Sequence, residues 1–142
     1  SPQESGLEDW LAHHGITLQE GMVMDPQNAA FPAPVTRQVG GFSFQELVML
    51  DYPYFIDVRG PGLNAESGIT ARLPQVTVPW ASPLEVDNPP ESGRALTELL
   101  VSSPGSWISS DPDVMPRIDE SGQSAFRPEG DLQARTLAVL ER

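Results

Sequence analysis

An α/β domain built on a mixed sheet with few, short helices is the fold class this sequence predicts. Three observations lead there. Short apolar stretches of strand character alternate with capping-box sites at which helices start. The 142 residues suffice for one hydrophobic core. Fifteen Pro and 12 Gly keep regular elements brief and interrupted. A doubly wound parallel sheet wants a crossover helix of roughly ten or more residues behind each strand, which this chain cannot supply throughout. It therefore reads as a single α/β domain or domain fragment over residues 1–142, the C-terminal part of a larger flavodoxin-like or amidotransferase-like unit.

The first element follows from Ser5, Gly6, Leu7 and Glu8, whose spacing fits a capping box. Leu7, Trp10 and Leu11 then share one face, and Gly15 suits a left-handed C-terminal cap, so residues 6–14 are expected to be an amphipathic helix. Met22, Val23 and Met24 form a short strand ended by Asp25 and Pro26. "DPQNAAFPAP" contains three prolines and is expected to be a surface loop, with residues 35–39 extended after it. Ser43, Phe44, Gln45 and Glu46 repeat the capping-box spacing and predict a short helix to Leu50. Residues 52–58 read as a strand, with Pro53 placing it at a sheet edge.

Residues 60–68 are turn-rich, and 69–73 allow no more than one helical turn. "VTVPWASPLEVD" gives two short strands, 76–78 and 84–86, on either side of a Pro79–Trp80 break. "NPPESG" is a loop. Residues 95–103 fit helix or strand equally well. "SPGSW" turns the chain, residues 109–130 are polar and irregular, and 132–140 close as strand or helix.

Composition excludes more than it selects. Twenty acidic residues face eight basic ones, all of them Arg, for a formal charge of −12. Such a chain repels phosphate backbones, so neither nucleic acid nor an anionic lipid surface is an expected partner. The absence of Cys removes disulfides, thiolate metal sites and a Cys nucleophile. It suits the bacterial periplasm without excluding the cytosol. No stretch reaches the length of a membrane helix.

The candidate chemical groups are sparse, and neither a metal site nor a cofactor is expected. His13 and His14 are adjacent, so on a helix they diverge by roughly 100° and cannot chelate one ion. Asp111 and Asp113 match the first and third positions of a calcium loop, but Met115, Pro116 and Gly122 occupy positions that need a ligand, a turn Gly and a bidentate Glu. "VGGF" lacks the Lys and spacing of a phosphate loop. Asp57 and Arg59, with Glu85 and Asp87, would form a polar cluster if their strands were neighbours. Trp10, Trp80 and Trp107 serve as core anchors or as a platform for sugar or peptide.

A family resemblance adds to this. The run "YPYFIDVRGPGLNAESGITARLPQVTVPWASPLEVD", with "LEDWLAHHGITLQEGMVMDPQNA" before it and "LTELLVSSPGSW" after, resembles the auxiliary extracytoplasmic component of gliding-motility-type ABC transporters. That family is also described as an uncharacterised ABC-type transport system related to intraflagellar-transport proteins. The likeness covers residues 7–107. Its marks are a helix ending in Gly before a strand that runs into Asp-Pro, a Tyr-Pro-Tyr strand start, an Ile-Thr-x-x-Leu turn and the Pro-Trp-Ala-Ser break. Ser67 and Gly68 stand where the family often has His-Pro. The closing "ARTLAVLER" resembles the family's late strand, which favours strand over residues 135–140.

The resemblance implies a fragment of a membrane-anchored protein on the outer face of a bacterial inner membrane. Its partners would be the ABC permease and ATPase subunits, reached through the full-length protein, and its oligomeric state is left open. The expected function is non-enzymatic binding or scaffolding, with Trp80, Arg59 and Glu85 as candidate binding residues and no catalytic residue assigned. The alternatives are a hydrolase or transferase using carboxylates such as Asp57, Glu85 or Asp87 at strand ends, and a small sugar-binding module built on Trp80 or Trp107. The Pro-Trp step is expected to switch the chain between two sheet positions, with Trp80 plugging the edge of the core.

Overall fold

The computed structural model describes residues 6–87, 93 and 95–141, and antiparallel pairing organises them. The elements run α1 (Leu7–His13), β1 (Ile16–Leu18), β2 (Met22–Met24), β3 (Asn28–Val39), β4 (Phe42–Arg59), a 3₁₀ turn (Gly60–Gly62), β5 (Gln75–Pro79), β6 (Leu84–Val86), β7 (Leu96–Val101), β8 (Trp107–Ser109) and β9 (Thr136–Glu141). The strands form a four-stranded sheet in the order β1-β6-β9-β7, a three-stranded sheet β3-β4-β5 and the pair β2-β8. Every pairing between these strands is antiparallel. The expected α/β class, with its mixed sheet and its flavodoxin-like or amidotransferase-like parentage, is therefore overturned: the described chain is mostly β, with one α-helix. Antiparallel neighbours need no helical crossover, which explains how so few helices suffice.

Two local expectations fail for one reason. The stretch taken for a proline loop and the helix expected from Ser43 to Leu50 are the two arms of a single hairpin, β3 and β4. Its tip is Gly40–Gly41, with φ of 59° and 84°, the paired positive values of a type I′ turn. The pairs run from Val39 opposite Phe42 down to Ala30 opposite Asp51. In a two-residue turn of this kind the flanking pair exchanges both backbone hydrogen bonds, and bonded and non-bonded pairs then alternate. Pro34 opposite Leu47 and Pro32 opposite Met49 thus fall in non-bonded pairs, their missing N–H groups directed away from β4. β3 is an edge strand, so the prolines cost the ladder nothing. Phe42, Phe44 and Val48 have strand character that, with pairing along the whole arm, outweighs the capping-box coincidence at Ser43.

Pro53, expected at a sheet edge, lies inside the central strand β4, where the pairing with β3 is interrupted and that with β5 is about to begin. Residues 42–51 pair with β3 and residues 55–59 with β5, and Ala30 and Asn28 of β3 span Asp51 to Ile56 through an irregularity. A residue without an N–H fits at this gap in the ladder.

Other readings hold. α1 ends at Gly15, whose φ is 79° and whose amide donates to the Ala12 carbonyl at 3.0 Å. Ser5, the proposed cap, lies outside the described residues; Gly6 occupies the N-cap position. The helix buries no residue, with Leu7 and Trp10 exposed. β2 and β6 have the expected bounds, β5 contains the expected 76–78, and residues 96–101 and 136–141 resolve as strands. The loop "NPPESG" lies outside the described residues except for Gly93.

Two apolar clusters make the core. Val23, Ile56, Val58, Leu63 and Leu137 form one, with Val76, Val78 and Leu100 against it. Met24, Tyr52, Tyr54 and Trp107 form the other, with Phe31, Phe55 and Phe126 against it. Val23 and Met24 are consecutive residues of β2, so that short strand places one side chain in each cluster.

β2 ends on Asp25, a fully buried carboxylate. It accepts from the Gln27 amide at 2.8 Å, the Ser103 amide at 2.7 Å and the Ser103 hydroxyl. Its own amide donates to the Pro53 carbonyl at 3.1 Å, and its carbonyl accepts from the Asn28 side chain. One residue thus joins β2, the β3 start, β4 and the turn before β8. Replacing Asp25 with Ala is expected to lower stability by about 3 kcal/mol or more, because a fully buried carboxylate is lost and two half-buried amides lose their acceptor. Urea unfolding measures this; a loss below about 1 kcal/mol would show that water replaces the carboxylate.

Candidate functional site

Trp80 is the only described residue other than Gly with a positive φ, at 48°. An L-residue in this region costs about 1–2 kcal/mol, and the sequence sets the condition. Pro79 ends β5 opposite Phe55, Trp80 donates its amide to the Tyr54 carbonyl at 2.9 Å, and the chain turns so that Ala81 accepts from the Val23 amide at 2.8 Å. β5 stays in the three-stranded sheet while β6 joins the four-stranded one. The expected switch at Pro-Trp is therefore present. The expected plug is not, since Trp80 is 49% exposed.

The indole lies edge-on to Phe55, ring centres 5.1 Å apart, and its N–H donates to the Tyr52 hydroxyl at 3.4 Å. That hydroxyl donates to the Val114 carbonyl at 2.6 Å. Trp80 so held forms one wall of a groove of about 380 Å³, with Phe31, Pro34, Tyr52, Met115 and Pro116 among the others. None of its lining residues is charged. The groove can hold apolar or aromatic groups, including an extended Pro-rich segment of the kind aromatic grooves take, and exposed Met115 gives it an adaptable rim.

The other candidates lie elsewhere. Arg59, at the far end of the β4–β5 pairing, binds the Asp57 carboxylate and, at 2.8 Å, the Gln75 side chain. Its hydrogen bond to Asp57, with that carboxylate's charge, raises its pKa further. Glu85 is exposed on β6, in the other sheet, opposite Thr17 and accepting from Gln19 at 3.3 Å. Trp80, Arg59 and Glu85 therefore do not share a site. The polar cluster of Asp57 and Arg59 with Glu85 and Asp87 reduces to the Asp57–Arg59 pair, because β4 and β6 belong to different sheets. Trp107 is buried in the core, which leaves Trp80 to carry the sugar-binding alternative. His14 bridges α1 to Glu141 of β9 at 2.7 Å, under the ring of Trp10.

A second groove of about 380 Å³ borders residues 48–51 of β4 and is closed on its other side by residues 122–128, with Trp107 and Phe126 in its lining. Asp–Arg pairs shape the segment beside it. Asp111 and Asp113, which match only the first and third positions of a calcium loop, both pair with Arg117, at 3.8 and 3.2 Å, and Arg117 lies 5.5 Å from the Phe126 ring centre. Asp119 binds Arg127 and accepts from Ser121 and Gln123. Among the lining residues only Trp80 and Trp107 are binding candidates from the sequence; Met115, Pro116 and Gly122 enter it only as mismatches to a calcium loop. The Gly-Gly dipeptide between two β-branched and aromatic runs was the available signal, since it fixes the hairpin that both grooves flank.

The site thus belongs to a β domain with an uncharged aromatic recess, suited to holding a partner. The profile of the family described as an ABC-type uncharacterized transport system matches residues 1–140, and the chain belongs to that family. It is an auxiliary component of a membrane-associated ABC-type transport system. Comparisons with curated proteins and with solved structures find no match. Among the described residues no helix is long and apolar enough to cross a membrane.

Two outcomes follow. Trp80→Gly is expected to be more stable than Trp80→Ala by about 1 kcal/mol, because only Gly relieves the positive φ; chemical denaturation of the two variants decides it. The Ser121 hydroxyl, with the Gln123 and Ser121 amides and Arg127, lowers Asp119 from 3.8 to about 2. A depressed carboxylate contributes stability in full above its unfolded value and loses it as pH falls through the folded one. The 119–127 turn should hold at pH 4 and open towards pH 2, followed by NMR titration of the Asp119 carboxyl carbon; a midpoint near 4 would mean the turn is not formed.

Proposed function

We propose that this chain is a non-enzymatic binding or scaffolding domain on the extracytoplasmic face of an ABC-type transport system of the gliding-motility type, and that the groove beside Trp80 is its contact for another component of that system. The observation that carries the reading is the strained, half-exposed Trp80 over an uncharged recess. Backbone strain at one aromatic residue is kept where that residue's position matters, and partly exposed Trp, Tyr and Met are the side chains that anchor protein contacts. The permease and ATPase subunits, reached through the full-length protein, are the proposed partners. A carboxylate-based hydrolase gains no support from the groove, whose lining contains no carboxylate.

The test uses the purified permease–ATPase complex in nanodiscs, titrated into a Trp10→Phe variant so that Trp80 is the one exposed indole among the described residues. Binding is expected to shift Trp80 fluorescence to the blue. Trp80→Ala and Met115→Asp should each weaken binding by about tenfold or more, the effect of losing one anchor contact. Unchanged affinity in both variants would remove the groove from the contact.

A further inference from the structure

The β3–β4 hairpin has two outer edges of opposite character. Along β3, Pro32 and Pro34 present no N–H outward. Along β4, the alternation fixed at the Gly40–Gly41 turn directs the N–H and C=O of Ser43, Gln45, Leu47, Met49 and Asp51 away from β3. Among the described residues no strand pairs with that side over residues 42–51. Residues 36–47 are exposed throughout. The apolar side chains there stand in water: Phe42 is 78% exposed, Leu47 70% and Met49 64%. An unprotected edge of this length is a template for pairing.

We propose that β4 pairs with β4 of a second copy across a two-fold axis, making a continuous four-stranded sheet β3-β4-β4-β3. Three features select a second copy. First, each hairpin has one open and one proline-blocked edge, so pairing two copies through the open edges leaves only blocked hairpin edges outside, a dimer rather than a fibre. Second, charge permits a contact at this place. The chain carries −12, yet residues 29–50 contain one Arg and one Glu, Arg37 and Glu46, and these pair with each other. Over that span two copies can meet without facing unpaired charge, and Asp51, the next acidic residue, falls at the ends of the pairing. Third, the register completes a second feature.

Only outward-directed residues can form bonded pairs. An axis at Glu46 would set two carboxylates opposite one another. With the axis at Leu47, Leu47 faces the partner's Leu47, Gln45 faces the partner's Met49, and Ser43 faces the partner's Asp51. Phe42 at each tip then reaches the partner's groove beside residues 48–51, where Trp107, Phe126 and Pro128 line the wall. In that groove the Ser124 hydroxyl is buried without a hydrogen-bond partner, a group that an incoming tip backbone would satisfy.

The chain has no Cys, which makes the test clean. Bonded antiparallel pairs hold Cα atoms about 5.5 Å apart, inside the disulfide range of about 4.4–6.8 Å. Leu47→Cys should form a cross-linked dimer under mild oxidation, whereas Thr36→Cys, on the blocked edge, should not. Sedimentation equilibrium of the unmodified chain should give a dimer that tightens as salt screens the acidic bodies. Gln45→Pro removes only an outward donor, as Pro34 does on β3, and should weaken association by about tenfold or more while the monomer stays folded by circular dichroism. Phe42→Glu should do the same. A monomer at several hundred micromolar in both low and high salt, with Leu47→Cys cross-linking no better than Thr36→Cys, would overturn the proposal.

Discussion

A carboxylate in a protein interior must find its hydrogen bonds there, because nothing else offsets the loss of water around a full charge. Asp25 meets that demand with the Gln27 amide and both donors of Ser103. Its location follows from the demand. β2 can end only where those donors arrive, so the turn at 102–106 has to lie against the end of β2. That turn is fastened in its own right. The Ser102 and Ser106 hydroxyls bond each other at 2.7 Å, Ser106 donates to the Gln133 carbonyl at 2.6 Å, and the Arg135 amide donates to Ser102 at 2.9 Å. The four-stranded sheet, through the start of β9, is thereby connected to β2 and β4 by polar contacts rather than by apolar packing alone. The Asp-Pro signature of the family resemblance has its physical account here: the carboxylate builds the junction, and Pro26 keeps Asp25 extended as the strand ends.

From that junction the chain must serve several sheets with few residues, and it does so by changing partners within continuous stretches. β4 takes β5 as a further partner beyond Pro53, while its pairing with β3 passes through an irregularity; the chain leaves the three-stranded sheet and enters the four-stranded one at Trp80. Each change coincides with a residue that cannot keep an ordinary ladder. Pro53 lacks a donor, and Trp80 follows Pro79 into a left-handed turn. Trp80 differs from Pro53 in its consequence. The turn there leaves a large aromatic ring at the surface, supported by Phe55 and Tyr52, and that support is what makes a groove.

What the sequence disclosed and what it concealed divide along the same physical line. Local signals with one solution were legible: Gly15 as a left-handed cap, Met22–Met24 ended by Asp-Pro, Leu84–Val86 after the break. Signals with two solutions were settled by partners far away in the chain. Ser43 to Glu46 satisfies a capping box in isolation and a hairpin arm once β3 lies beside it. Three prolines in ten residues signify a loop unless two of them fall on the outer side of an edge strand, and that depends on the register set at Gly40–Gly41. Asp25 was read as a strand terminator because Ser103, its main donor, is 78 positions away. The grooves were hidden for the same reason: Phe31, Tyr52, Trp80 and Met115 come from four separate stretches and share a surface only after folding.

The distribution of charge ties the fold to its surroundings. Most of the acidic surplus has no Arg to answer it, and the ion pairs that exist fasten particular places: Asp57 to Arg59 at the end of β4, Asp111 and Asp113 to Arg117, Asp119 to Arg127. The Trp80 groove has no charged lining residue, and in the hairpin the one Arg and one Glu between residues 29 and 50 pair with each other. A protein of −12 repels other acidic surfaces at a distance set by the Debye length, about 8 Å at physiological ionic strength. Contacts that must form in spite of this are best placed on neutral, apolar elements that project beyond the charged body or sit apart from its carboxylates. The hairpin does the first and the groove the second. An acidic body with neutral apolar recesses favours association by shape and apolar complementarity and disfavours polyanions.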